Sequence, residues 1–209
     1  VRRAFWSGLA AVLLAGCGGD PGVSAYRDGL RALKRSDAET GIRRLEASLL
    51  AGSPRVPAAA VHNALGVAYA RAGRRADARK AFAESARLDP ACADPVYNSG
   101  VLLAESGEPA EAASRFLAAA ALDPAETRPL EYLAALFRRH GQWADARRAL
   151  DEARRRAPHA PRILAAQALV ELQATNVVRA ISLLQEALEH DAGYAPAIFN
   201  LAAVNDEWL

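Results

Sequence analysis

Residues 59–92 read AAVHNALGVAYARAGRRADARKAFAESARLDPAC, and their pattern decides the fold. Val61, Leu65 and Tyr69 recur at helical spacing, and Gly73 stands where that helix should stop. A second apolar stripe runs through Ala78, Phe82 and Ser85-Ala86 to Leu88, with Pro90 closing it. The spacing predicts two short amphipathic helices joined by a tight turn, an αα-hairpin. Alone, such a hairpin would leave most of its apolar surface in water, so it requires copies of itself on either side.

The copies follow in steps of 34 residues. From Gly66 the step reaches Gly100, Ala134, Ala168 and Ala202, always small; from Ala78 it reaches Ala112, Ala146 and Ala180. From Phe82 it reaches Phe116, Leu150 and Leu184, from Gly73 Gly107 and Gly141, and from Pro90 Pro124 and Pro158. Each column has a physical reason. The small residues let the paired helices approach, the bulky ones are expected to fill the space between successive hairpins, and the glycines accept the positive φ that ends a helix. Proline keeps the second helix from running on.

This register, with Leu65-Gly66, Tyr69, Ala78, Phe82 and Pro90, resembles the tetratricopeptide repeat (TPR) over roughly residues 22–209. The resemblance implies an all-α fold, a right-handed solenoid of αα-hairpins. Repeats are expected at about 22–58, 59–92, 93–126, 127–160 and 161–194, with a half repeat at 195–209. In the first, Gly29 takes the small position, Leu45 the bulky one and Ser53-Pro54 the stop; in the fifth, Glu171 stands where Tyr69 stood. Ile198, Leu201 and Ala202 repeat the first-helix stripe, and no second helix follows before Trp208-Leu209.

The chain of 209 residues is 52% hydrophobic with only 6% aromatics, because alanine supplies most of the apolar content. Each hairpin therefore has a thin core, and stability should come from stacking neighbours. The formal net charge is +2, a charge that Arg2 and Arg3 alone would supply. That near-neutral balance excludes the strong basic excess of a nucleic-acid binder.

Before the repeats stands VRRAFWSGLAAVLLAGC, with a basic start, an apolar run and a small-residue ending, the three parts of a secretory signal. Leu14-Ala15-Gly16-Cys17 is similar to the lipobox of bacterial lipoproteins. The resemblance implies that residues 1–17 form a lipoprotein signal ending at the lipobox, with cleavage before Cys17 and lipidation of its sulfur. Two or more acyl chains give durable attachment to a membrane. Residues 18–22 are expected to be a flexible tether and 23–209 the repeat domain. Gly18 after the cysteine resembles an outer-membrane address, so the periplasmic face of that membrane is expected rather than the inner membrane.

No chemistry stands out. His62, His140, His159 and His190 lack an i,i+4 partner or nearby cysteine, Cys92 has no partner within the repeats, and most Asp and Glu fall on expected helix exteriors. No metal, cofactor or enzymatic activity is expected. What remains is a surface. In the TPR family the first helices line a concave groove, and carrying those positions over by register gives Asn63, Val67, Ala70 and Arg71, then Asp94, Tyr97, Asn98, Val101 and Glu105. They continue with Arg128, Glu131, Tyr132, Ala135, Arg138 and Arg139, then Arg162, Leu169 and Gln173. Tyr97 and Tyr132 are the expected anchors for an extended peptide or helix. The carboxylate clamp of some TPR domains is matched at two of five positions only, Asn98 and Arg128.

The resemblance thus implies a lipid-anchored scaffold that holds a partner protein or peptide at the bacterial cell envelope. An alternative within that class is a pilotin-like assembly factor for a type IV pilus or secretin system. An alternative of another class is a structural homodimer formed through Ile198, Leu201 and Trp208.

Overall fold

The computed structural model describes residues 20–208, and the helices within them fall into hairpins as the repeat register requires. Among those residues the elements are α1 (Pro21–Lys34), α2 (Ala38–Ala51), α3 (Ala58–Arg71), α4 (Arg75–Leu88), α5 (Ala93–Glu105) and α6 (Pro109–Leu122). They continue with α7 (Arg128–Arg139), α8 (Trp143–Arg156), α9 (Pro161–Gln173), α10 (Val177–His190) and α11 (Ala195–Trp208). No strand occurs among the described residues. The chain divides into two compact units, one ending at Leu122 and the other beginning at Asp123.

The first unit stacks the hairpins α1/α2, α3/α4 and α5/α6. The close approach inside each hairpin rests on a glycine facing a bulky side chain. A methyl group on Gly66 would lie 2.4 Å from the Phe82 ring, one on Gly100 2.9 Å from the Phe116 ring, and one on Gly29 2.7 Å from Leu45. Phe82 and Phe116 therefore lie over the glycine of their own hairpin. The reason is geometric: the bulky residue follows the small one by sixteen positions, which places it opposite on the returning helix. That place adds to the expected one between hairpins, where Phe82 lines a cavity together with Pro95, Val96 and Ser99 of α5. Ser48 and Ser85 repeat a second device, each hydroxyl donating at 2.8 Å to a carbonyl near the start of the first helix, Gly22 O and Ala59 O.

Residues 20–22, expected as the end of the tether, belong to the fold. The Asp20 carboxylate caps α1 by accepting from Val23 N at 3.1 Å and also accepts from the Ser53 hydroxyl at 2.7 Å. Pro21 is pre-set for the first helical position, and Gly22 is buried against the Gly52 carbonyl. At the other end of the hairpin α2 stops at Ala51 with Gly52 at φ 62, two residues ahead of the expected Ser53-Pro54 stop. The signal segment with Cys17, and the side chain of Trp208, lie outside the described residues.

The second unit stacks α7/α8, α9/α10 and the single helix α11. Ala134 with Leu150 and Ala168 with Leu184 hold the small–bulky register, and all four are buried, the second pair within one core cluster. Leu164, Ala168, Leu183, Leu184 and Ala197 share one cluster, against which Leu201 packs partly buried. Thus α11 covers the fifth hairpin through Ala197, Leu201 and Val204. Ile198, read as part of that stripe, is instead 48% exposed, and Phe199 beside it 73%.

The turn within each hairpin is the same throughout. A residue at positive φ is followed by one whose N–H reaches back five residues, as in Arg74 N to Tyr69 O (2.9 Å), Glu108 N to Leu103 O (3.0 Å) and Asn176 N to Glu171 O (2.8 Å). This is the Schellman closure. Glycine holds the positive-φ place at 73, 107 and 141, whereas Ser36 (φ 63) and Thr175 (φ 64) hold it in the first and last full hairpins.

Candidate functional site

The first helices α3 and α5 carry the expected binding residues of the first unit, and burial removes most of them from any surface. Val67, Tyr97 and Val101 are buried, as are Asn63 and Asn98. Tyr97, an expected anchor, is 2% exposed with its ring centroid 6.0 Å from that of Phe116. Asn98 Nδ2 donates to Asn63 Oδ1 at 2.9 Å, a buried amide pair linking α5 to α3. Arg71 is half-buried and donates to the Leu33 carbonyl at 2.6 Å, tying α3 to α1. Ala70 and Asp94 are half-buried, and Glu105 is exposed. On this unit the carried-over positions are packing positions. The sequence held a signal of this: from Ala64 to Ala70 no residue is charged, and a helix apolar on all sides is an interior helix.

The second unit differs. Helix α7, RPLEYLAALFRR, keeps its apolar residues Leu130, Leu133 and Leu136 inside and its charges outside. Glu131 accepts from Arg162 Nε at 3.0 Å, and Arg162 also donates to the Thr127 hydroxyl at 2.7 Å, which in turn donates to Glu131 at 2.8 Å. Arg138 Nη1 donates to Gln173 Oε1 at 3.3 Å. These two links join the same faces of α7 and α9. Tyr132 and Leu169 are half-buried between them in sequence register, while Ala135 and Arg139 are exposed. Arg128 bonds the Glu126 carboxylate through its backbone N–H at 3.0 Å and through its guanidinium. Both matches to the carboxylate clamp are thus engaged, Asn98 with Asn63 and Arg128 with Glu126. The α7–α9 face is polar, cationic at Arg138, Arg139 and Arg162, and offers Tyr132 as its aromatic.

Two groupings escaped the sequence reading. Glu171, which stands where Tyr69 stood, is 2% exposed. Its carboxylate accepts both Nε and Nη2 of Arg147 at 2.8 Å and Asn176 Nδ2 at 2.8 Å, with Arg179 at 3.4 Å. Burial pushes the Glu171 carboxyl up, but the bonds from Arg147 and Asn176 outweigh it and hold the group below the ordinary glutamate value. A lone Glu in the run Leu169–Leu172, in a column otherwise filled by Tyr69, Leu103 and Phe137, was the available signal. The second grouping is His159 with His190, whose ring nitrogens lie 3.3 Å apart; 31 residues of sequence hid it. Cys92 is half-buried, and burial pushes its thiol up, the direction of an unreactive cysteine. Among the described residues no group of three or more His, Cys, Asp or Glu is placed to hold a metal ion, and no helix is long and apolar enough to cross a membrane.

Helical hairpins in a 34-residue register, with small–bulky pairs inside and a Schellman turn at each tip, define a protein built from helical repeats. The chain carries tetratricopeptide repeats: tetratricopeptide repeat models match residues 59–92 and 133–195. Its fold is similar to that in "Functional Characterization of Pseudomonas Aeruginosa pilF" (21% identity, TM-score 0.71, covering 90% of this chain and 85% of that one). It is also similar to MamA from Desulfovibrio magneticus RS-1 (18%, 0.65, covering 85% and 99%). A third likeness is to YrrB, described as a TPR protein with an unusual peptide-binding site (15%, 0.60, covering 86% and 91%). A search of the curated proteins finds no match.

Proposed function

We propose that this protein is a membrane-anchored scaffold that holds a partner protein or peptide on the first-helix face of its second unit, at the bacterial cell envelope. The observation that carries the reading is the α7–α9 face, where Arg139 and Arg162 are exposed and Tyr132 and Arg138 half-buried, whereas Asn63, Val67, Tyr97, Asn98 and Val101 of α3 and α5 are buried. A peptide with acidic groups suits it, since guanidinium groups pair with carboxylates in bidentate fashion. The peptide-binding site named for YrrB, a protein of similar fold, supports this reading. The anchor rests on Leu14-Ala15-Gly16-Cys17, with lipidation at Cys17 and an outer-membrane address on its periplasmic face.

Two measurements test this. Mass spectrometry of the protein from its native membranes should show an amino terminus at Cys17 carrying fatty acyl chains; an unmodified, uncleaved terminus would end the anchoring half. Capture of the partner from those membranes should fail with Arg138→Glu/Arg139→Glu. Recovery equal to that of the unaltered protein would remove the α7–α9 face from the proposal.

A second reading, the pilotin-like assembly factor, is supported by the lipobox together with this number of repeats and by the fold likeness over most of the chain to the Pseudomonas aeruginosa pilF structure. Deletion of the gene should then abolish secretin multimers. The homodimer has its own support in the exposed pair Ile198 and Phe199, with Leu201 replaced by Phe199 because Leu201 is turned to the core cluster. A clean monomer in sedimentation at high concentration would dismiss it.

A further inference from the structure

We propose that His159 and His190 form a binding site for a divalent transition-metal ion of the kind that favours imidazole, such as Zn²⁺ or Cu²⁺. His159 lies in the turn between α8 and α9, and His190 is the last residue of α10. Nδ1 of His159 and Nε2 of His190 stand 3.3 Å apart, with ring centroids at 4.6 Å and planes inclined by 57°. Two nitrogens that each hold zinc at ~2.0–2.1 Å in a tetrahedral site are themselves about 3.3 Å apart. The separation of the two nitrogens therefore already matches the bite of a chelate, and rotation of the two exposed rings would aim both lone pairs at one ion.

The surroundings suit an open site. Both side chains are exposed, so each ring can turn its lone pair onto an ion, and water can fill the remaining positions. No third His, Cys, Asp or Glu completes the set among the described residues, which makes this a two-imidazole site. In the metal-free state one ring donates N–H to the other. On binding, that proton moves to the far nitrogen of the same ring, both facing nitrogens then offer lone pairs, and the proton count is unchanged. Imidazole ligands follow the usual order in which Cu²⁺ binds more tightly than Zn²⁺.

The ion would tie the α8–α9 turn to the end of α10. Unfolding separates the two ligands along the chain, so binding favours the folded state. Arg154 and Glu186 already pair across the same two helices at 2.6 Å, and the metal would add a second link near their ends.

The test uses the full chain without an affinity tag, stripped with chelator and carrying Cys17→Ser and Cys92→Ser so that thiols do not compete. Calorimetry with zinc chloride should give one ion per chain, and His159→Ala and His190→Ala should each weaken binding by at least about tenfold. His62→Ala and His140→Ala should leave it unchanged. Electron paramagnetic resonance of the copper-loaded protein should show two nitrogen ligands, reduced to one in either single variant. Zinc should raise the melting temperature of the parent and not of His159→Ala. His159→Gln keeps the size and polarity of the position and should behave as His159→Ala does. No binding up to millimolar zinc, or equal affinity in His159→Ala or His190→Ala, would overturn the proposal.

Discussion

At Gly66 a single methyl group decides whether a hairpin can close. Placed there it would lie 2.4 Å from Phe82, inside any van der Waals distance, so either the ring or the helix must move. The chain solves the same problem differently further on, pairing Ala134 with Leu150 and Ala168 with Leu184. Gly66→Ala should thus lower stability by about 1–3 kcal/mol, while Phe82→Leu costs about 1 kcal/mol by itself. Together they should recreate the Ala–Leu pair, with a favourable coupling of about 1 kcal/mol in a double-mutant cycle read by urea unfolding. Simple additivity would show that the two residues do not meet as described. Thr175 poses the opposite case. Its φ of 64 is a costly conformation for a β-branched residue, in a turn that Gly73, Gly107 and Gly141 fill without strain. Thr175→Gly should raise stability by about 0.5–1 kcal/mol, measured by the same unfolding; a loss would mean that the Thr175 hydroxyl bond to Ala174 O at 2.6 Å outweighs the backbone strain.

Between elements the question is what a buried polar group holds together. Glu171 draws Arg147 of α8 and Asn176 at the α9–α10 turn to one carboxylate. Glu171→Gln removes its charge and should cost about 2–3 kcal/mol at neutral pH. Because the folded group lies below the 4.5 of an ordinary glutamate, its contribution is present above that value and is lost as pH falls through the folded one. The gap between parent and Glu171→Gln should therefore close in acid, below about pH 4.5; a gap independent of pH would deny the ionised carboxylate its role. Asn98→Ala should likewise destabilise the first unit by about 1–3 kcal/mol by leaving the Asn63 oxygen unpaired, without altering partner capture. The elements themselves were legible in the sequence because glycine and proline act locally: Gly73 and Pro90 end their helices whatever surrounds them. The binding residues were less so. Register alone says which positions correspond, but whether a position is surface depends on what packs over it. Hence Tyr97 and Tyr132, equivalent-looking in sequence, differ in kind, and Glu171 and His159 depend on partners 24 and 31 residues away.

At the scale of the molecule, each unit is held by contacts between neighbouring hairpins without a single centre. Each hairpin closes on its own glycine or alanine and leans on its neighbours within the same unit, so damage should stay where it is made. Helix α11 offers the sharpest trial, since it covers the fifth hairpin through Ala197, Leu201 and Val204, and Ala197 belongs to the cluster with Leu164, Ala168, Leu183 and Leu184. Ending the chain before Ala195 returns that apolar surface to water, a loss of about 3 kcal/mol at the usual value per unit of buried area. Hydrogen exchange should then quicken by about a hundredfold at amides of α9 and α10. The amides of α1 to α4 should keep their rates within about a factor of two, as a nearest-neighbour array requires. If protection fell evenly along the chain, the repeats would be unfolding as one body, and the local account given for Gly66, Thr175 and Glu171 would have to be replaced by a global one.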